Sequence, residues 1–152
     1  MKGLIDITEK KEVYRSAVAT GLIRLRNSTI EAIRMQKVKK GDVLTTARVA
    51  AVLAVKDTPR IITMCHPISI TNIDVDFALE TNTIKTTVAV SSVGKTGVEM
   101  EALAGVAASL LNIWDMVKYL EKDETGNYPD TRIENLRVIE KKKAVLENTD
   151  II

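Results

Sequence analysis

Residues 84–121 constrain the fold of this chain more than any other stretch. Ile84-Lys-Thr-Thr-Val-Ala-Val90 alternates as a strand does, Gly94-Lys-Thr-Gly97 reads as a tight turn, and Gly97 to about Glu121 reads as the longest helix. That helix carries Ala102, Ala104, Gly105, Ala107, Ala108 and Ser109. Because protein interiors are close-packed, such a run of small side chains means that another element approaches this helix closely. A Gly-rich turn that opens a helix also presents free backbone N–H groups and a positive dipole end, which suit an anion. Thr96 with Glu99 three residues later reads as a capping box. The turn is thus either a well-capped helix start or one wall of an anionic-ligand site.

A phosphate-wrapping P-loop requires Gly-x-x-x-x-Gly-Lys-Ser/Thr. Gly94-Lys95-Thr96 supplies its second half, but Ala89 stands where the first glycine belongs. This speaks against a nucleotide-triphosphate hydrolase.

The other elements follow from the same signals. Residues 13–26 suggest a strand, and Asn27-Ser28 cap a short helix from Thr29 to about Lys37. Asp42 caps a helix from Val43 to about Lys56, and Thr58-Pro59 open a further short helix. Residues 68–77 alternate cleanly, Thr81-Asn82 make a hairpin turn, residues 122–130 form a polar loop, and Ile133 to Lys142 form a last strand. The tail from about 144 to 152 reads as frayed. One domain, 1–152, is expected. The order strand, helices, strand, strand, helix, strand predicts an α+β, ferredoxin-like (split βαβ) fold, with helices on one face of an antiparallel sheet. The opposite face then needs cover, which points to a partner subunit.

Only 3% of residues are aromatic, so a base-stacking nucleic-acid surface is not expected, and an RNA-binding module finds little support. No apolar run reads as a membrane span and no signal-peptide core opens the chain, so a cytoplasmic protein without a membrane partner is expected. One Cys and one His, adjacent in Cys65-His66-Pro67, rule out a Cys/His zinc tetrahedron within one chain, and no metal ligands are assigned. Residues 1–60 hold 13 Lys/Arg against 6 Asp/Glu, while residues 61–152 hold 9 against 14. Two solvated surfaces would explain this. So would a basic half contacting an anion and an acidic half supplying acid–base groups.

Lys37, Lys39 and Lys40 precede a helix N-terminus and make either a polyphosphate site or a solvated basic turn, to which Arg15, Arg48 and Lys56 would add charge. Asp115 and Lys118, three apart on the long helix, form either an ordinary ion pair or a coupled acid–base pair. Glu99 and Glu101 lie about 200° apart around the helix and are expected to face different sites. Asp115 is on nearly the same face as Glu101 but about 21 Å along the axis. A small ligand touches both only if it is long or if a second chain folds up the distance.

Five strings together resemble one family: Lys40-Gly-Asp-Val-Leu44, Ala47-Arg-Val-Ala50, Met64-Cys-His-Pro67, Val93-Gly-Lys-Thr-Gly-Val-Glu-Met-Glu-Ala-Leu103 and Trp114-Asp-Met-Val-Lys118. They look like the molybdenum-cofactor biosynthesis protein C family, the cyclic pyranopterin monophosphate synthases, from about Ile5 to Lys143. The resemblance implies a lyase that converts a cyclised dihydro-GTP triphosphate into cyclic pyranopterin monophosphate and pyrophosphate. It implies a homohexamer of three dimers with sites at subunit interfaces. It implies no required cofactor, and leaves Mg²⁺ open as a companion of the triphosphate. By position, Asp115 takes the active-site aspartate, with Lys118 and Lys40 as its catalytic partners. Met64, Cys65 and His66 fall on one substrate-binding stretch, Met100 and Glu101 on another, and Glu99 on a second acidic position. Arg15 and Lys56 match basic site residues, and Lys141 stands for the first lysine of a tail that in bacterial members reads Lys-Ser-Gly-Gly-Lys-Ser-Gly. Here that stretch is Glu140-Lys-Lys-Lys-Ala144, without glycines, and Asp57 replaces a commonly basic residue.

Overall fold

The computed structural model describes residues 3–146; of the expected frayed tail, residues 147–152 lie outside the described residues. Along the chain run β1 (Val13–Arg24), α1 (Asn27–Arg34), α2 (Val43–Ile61), β2 (Ile70–Leu79), β3 (Thr83–Gly94), α3 (Glu99–Glu121) and β4 (Arg132–Ala144). The four strands form one sheet in the order β2-β3-β1-β4, antiparallel throughout. This is the expected α+β, ferredoxin-like arrangement.

The period-2 pattern fixes the register. Ala17, Ala19 and Ile23 of β1 stand opposite Val90, Val88 and Ile84 of β3, and all six are buried under the helices. Helix α3 lies on β1 and β3, and α2 lies against α3 and β2. Val106, Leu110, Ile113 and Val117 of α3 are fully buried. Burial of each such side chain stabilises the fold by about 1.5–3 kcal/mol. The close approach expected along α3 is present. A Cβ added to Gly105 would lie 2.8 Å from Val55 Cγ2 of α2 and 3.1 Å from Val88 Cγ1 of β3.

Four local expectations are corrected. Asn27 does not cap α1; it lies inside the helix and its amide donates to Thr81 O at 2.9 Å. The cap comes from α3, where the buried carboxylate of Glu121 accepts the Arg26 N–H (3.1 Å) and the Thr29 and Thr131 hydroxyls. Thr58-Pro59 do not open a new helix. Helix α2 runs unbroken to Ile61, and the Thr58 hydroxyl donates back to Ala54 O at 2.9 Å. Pro59 has no N–H to donate to Val55 O, so α2 gives up one backbone hydrogen bond in its last turn. The capping box at Thr96 is absent, because the N-cap of α3 is Val98 without a side-chain cap. Finally, α3 is by length and composition apolar enough to cross a membrane. In this fold its apolar stripe is instead packed against the sheet and α2.

Candidate active site

Two clusters of functional side chains form, one at each end of α3. The first gathers around its N-terminus. The Glu99 side chain folds back over Gly97, bringing its Oε2 to 1.9 Å from where a Cβ there would lie. The loop between α2 and β2 brings Met64, Cys65, His66 and Ile68 alongside. The extended N-terminal segment crosses above them. His66 Nε2 is 2.8 Å from Ile5 O, and the Lys95 ammonium donates to Thr8 O at 2.7 Å. The half-open cavity they form has a volume of about 340 Å³ and is lined also by Ile5, Ile7 and Lys10 of that segment and by Glu99, Met100 and Glu101.

Glu99 and Glu101 therefore face one cavity, against the expectation from their rotation about the helix axis. Glu99 is the first helical residue, so its side chain reaches past the helix end instead of radiating from the cylinder. The two carboxyls are tuned apart. Burial raises Glu99, but an ion pair with Lys141, its own backbone N–H and the nearby Arg15 charge outweigh this and hold it below the usual range. Glu101 is 2% exposed; burial pushes its carboxyl up and the Glu99 charge adds to the rise. Burial also raises the Cys65 thiol, as does Glu101. A pair of carboxyls pushed in opposite directions is the usual signature of separate acid and base duties.

Arg15 positions this cluster from below. Its Nε donates to Gly94 O (2.9 Å) and its terminal nitrogen to Lys95 O (3.2 Å). The turn carbonyls are thus engaged by Arg15, and the Lys95 ammonium is held by Thr8 O rather than turned toward the helix start.

The second cluster lies near the other end of α3. Asp115 receives Lys118 Nζ on Oδ1 and Lys40 Nζ on Oδ2, both at 2.7 Å. Lys40 arrives on the turn before α2, where Asp42 caps the helix by accepting Thr45 N–H. First Lys118 and then Lys40 hold the Asp115 carboxyl down at about 2, and Asp115 in turn raises Lys118. The trio is solvent-exposed.

Of the expected site residues, Met64, Cys65, His66, Met100, Glu101, Glu99, Arg15 and Lys141 meet at the first cluster, and Asp115, Lys118 and Lys40 at the second. Lys56 is exposed on α2 and joins neither. Arg48 is structural: it donates to Val75 O and lies 5.4 Å from the Phe77 ring centroid, pinning α2 to β2. Sequence reasoning missed Ile5, Ile7 and Lys10, which lie in a segment without periodicity. Among the described residues no group of three or more His, Cys, Asp and Glu side chains is placed to hold a metal ion.

Comparison with known proteins is decisive here. The MoaC family matches residues 4–144. The chain belongs to the MoaC family. Curated relatives named "Probable cyclic pyranopterin monophosphate synthase" include those of Methanoregula boonei (60% identical over 140 residues, 92% of this chain and 90% of the relative) and Archaeoglobus fulgidus (58% identical over 140 residues, 92% and 90%). That of Aeropyrum pernix is 55% identical over 141 residues, 93% of this chain and 97% of the relative. The MoaC match and the α+β fold agree with the resemblance carried by the five strings.

Proposed function

We propose that this chain is a cyclic pyranopterin monophosphate synthase of molybdenum cofactor biosynthesis, a phosphorus–oxygen lyase acting in the cytoplasm. Its substrate is the cyclised dihydro-GTP intermediate, 3',8-cyclo-7,8-dihydroguanosine 5'-triphosphate. The observation that carries this reading is the division of one helix into two chemically distinct ends. The N-terminal cavity, with two carboxyls, an imidazole and apolar walls, suits a nitrogen-rich ring. The Asp115–Lys118–Lys40 trio suits phosphates and proton transfer.

The two ends are about 21 Å apart along the axis by helix geometry, too far for one substrate within one chain. We therefore infer that the protein works as a homo-oligomer, a hexamer of three dimers, in which the ring site of one subunit meets the lysines of another. Lys56, stranded in the single chain, would serve such a shared site. No nucleic acid or membrane is involved and no organic cofactor is required; Mg²⁺ would enter only as a companion of the triphosphate.

His66 and Glu101 hold the ring, with Met64, Cys65 and Met100 as walls and Glu99, Arg15 and Lys141 fixing the turn beneath. Asp115 and Lys118 exchange protons as the ring opens and recloses. At rest each locks the other charged, which mismatches both to neutral pH. A triphosphate that draws Lys40 away removes one of the two donors from Asp115, and its carboxyl rises as the substrate arrives. Lys40 then stabilises charge developing on the departing pyrophosphate. Incubating the purified protein with the cyclised intermediate should yield the cyclic-phosphate pterin and one pyrophosphate per turnover. Release of phosphate from plain GTP, with the intermediate untouched, would point to a hydrolase instead.

A further inference from the structure

We propose that Tyr119 is a positioning residue, whose hydroxyl and ring fix the Lys37–Gly41 turn and so seat Lys40 on Asp115. Tyr119 lies one helical turn beyond Asp115 on α3, on the same face. Its hydroxyl accepts the backbone N–H of Lys39 at 2.9 Å, and the Lys39 ammonium lies 5.6 Å from its ring centroid. The next residue is Lys40, whose ammonium reaches both Asp115 Oδ2 (2.7 Å) and Asp115 O (2.9 Å).

The turn needs such a clamp. It is anchored below by buried Val38 and above by the Asp42 cap, and it is closed by Gly41 at φ 107 with its N–H on Val38 O. Between those anchors Lys39 and Lys40 are exposed. A lysine has four rotatable bonds, so where its ammonium dwells depends on where its backbone is held. The Tyr119 hydroxyl is the one side-chain group of α3 that hydrogen-bonds the backbone of this turn among the described residues. It converts the rigidity of α3 into placement of Lys40 on the same helix's aspartate.

The role of Tyr119 in turnover rests on the proposed synthase activity, but its placement of Lys40 does not, and the two are read separately. The first readout uses no substrate: the titration of the Asp115 carboxyl by carbon NMR in the full-length protein. The groups facing Asp115 are Lys118 from α3, Lys40 from the turn and, through Lys118, the Tyr128 phenol of the following loop. In Tyr119→Phe the midpoint should rise from about 2 part of the way toward 3.8, since Lys118 stays in place. Tyr119→Leu, which also removes the ring, should move it further.

The second readout is turnover of the cyclised intermediate. Tyr119→Phe should lower kcat by about fivefold, the rate equivalent of one neutral hydrogen bond, with KM changed less, because a turn no longer held at Lys39 places Lys40 less well on the departing pyrophosphate. In a Lys40→Met background it should change nothing more, since its effect runs through Lys40. An Asp115 titration that stays at the parent value in both tyrosine variants, or losses that simply multiply in the double variant, overturns the proposal. Full turnover in Asp115→Asn would instead overturn the assignment of the aspartate and leave the titration result standing.

Discussion

At the scale of single residues, the site depends on what surrounds each carboxyl. Three acids on one helix are held in three states: Asp115 well below its ordinary value by two lysines, Glu99 lowered against burial by Lys141, and Glu101 raised by burial. For Glu101 the sign is specific. Its folded-state value lies above the ordinary 4.5, so the folded chain holds a proton that the unfolded chain has already lost. Its contribution to stability therefore falls as pH rises from 4.5 through the raised value, and is level beyond it. Glu101→Gln removes that fall. Its melting temperature should exceed the parent's at about pH 8 and converge with it at about pH 4. Turnover of the intermediate should drop about 100-fold if the carboxyl moves or orients a proton. A stability difference that is the same at both pH values would contradict a carboxyl raised by burial. The sequence showed which acids were candidates, and rotation about the helix axis separated Glu99 from Glu101. That geometry fails at a helix end, where the Glu99 side chain folds back over Gly97.

At the scale of elements, the contact between α2 and α3 holds the chain segments on either side of α2, with Lys40 before it and Met64 to His66 after it, against α3. Gly105 sits within that contact and against β3, with Val55 Cγ2, Val88 Cγ1 and Ala51 O at 2.8, 3.1 and 3.5 Å from where a Cβ would be. Alanine there gains about 1 kcal/mol of helix propensity. It loses about 1–3 kcal/mol to overpacking against the buried, β-branched Val55 and Val88 side chains. Overpacking should win: Gly105→Ala should lower the melting temperature by roughly 2–4 °C for each net kcal/mol, in a chain of this size. An unchanged or higher value would mean that α2 yields.

The elements themselves were legible because alternation and small-residue runs are local signals. Their ends were less so. Glu121 caps α1 from 95 residues away, and nothing near Asn27 announces it. Thr58-Pro59 carries a start signal that the tertiary fold overrides by continuing α2 beneath it. The N-terminal segment that lines the cavity has no periodicity, so Lys10, Ile5 and Ile7 could not be placed before the fold was known.

At the scale of the whole molecule, the basic first half and acidic second half meet along α3: Lys40 with Asp115 at one end, Arg15 near Glu99 at the other. One chain thus carries two clusters, and the proposed activity requires that one site draw them from different chains. Mixing tests this most directly. Asp115→Asn and Glu101→Gln should each be nearly inactive alone. Dissociated, mixed and reassembled, they should form hybrids in which a subset of sites holds both native carboxyls, and conversion of the cyclised dihydro-GTP intermediate should return to a sizeable fraction of the parent rate. A reassembled mixture no more active than either variant, with hybrid oligomers verified by native mass spectrometry, would contradict a site shared between subunits.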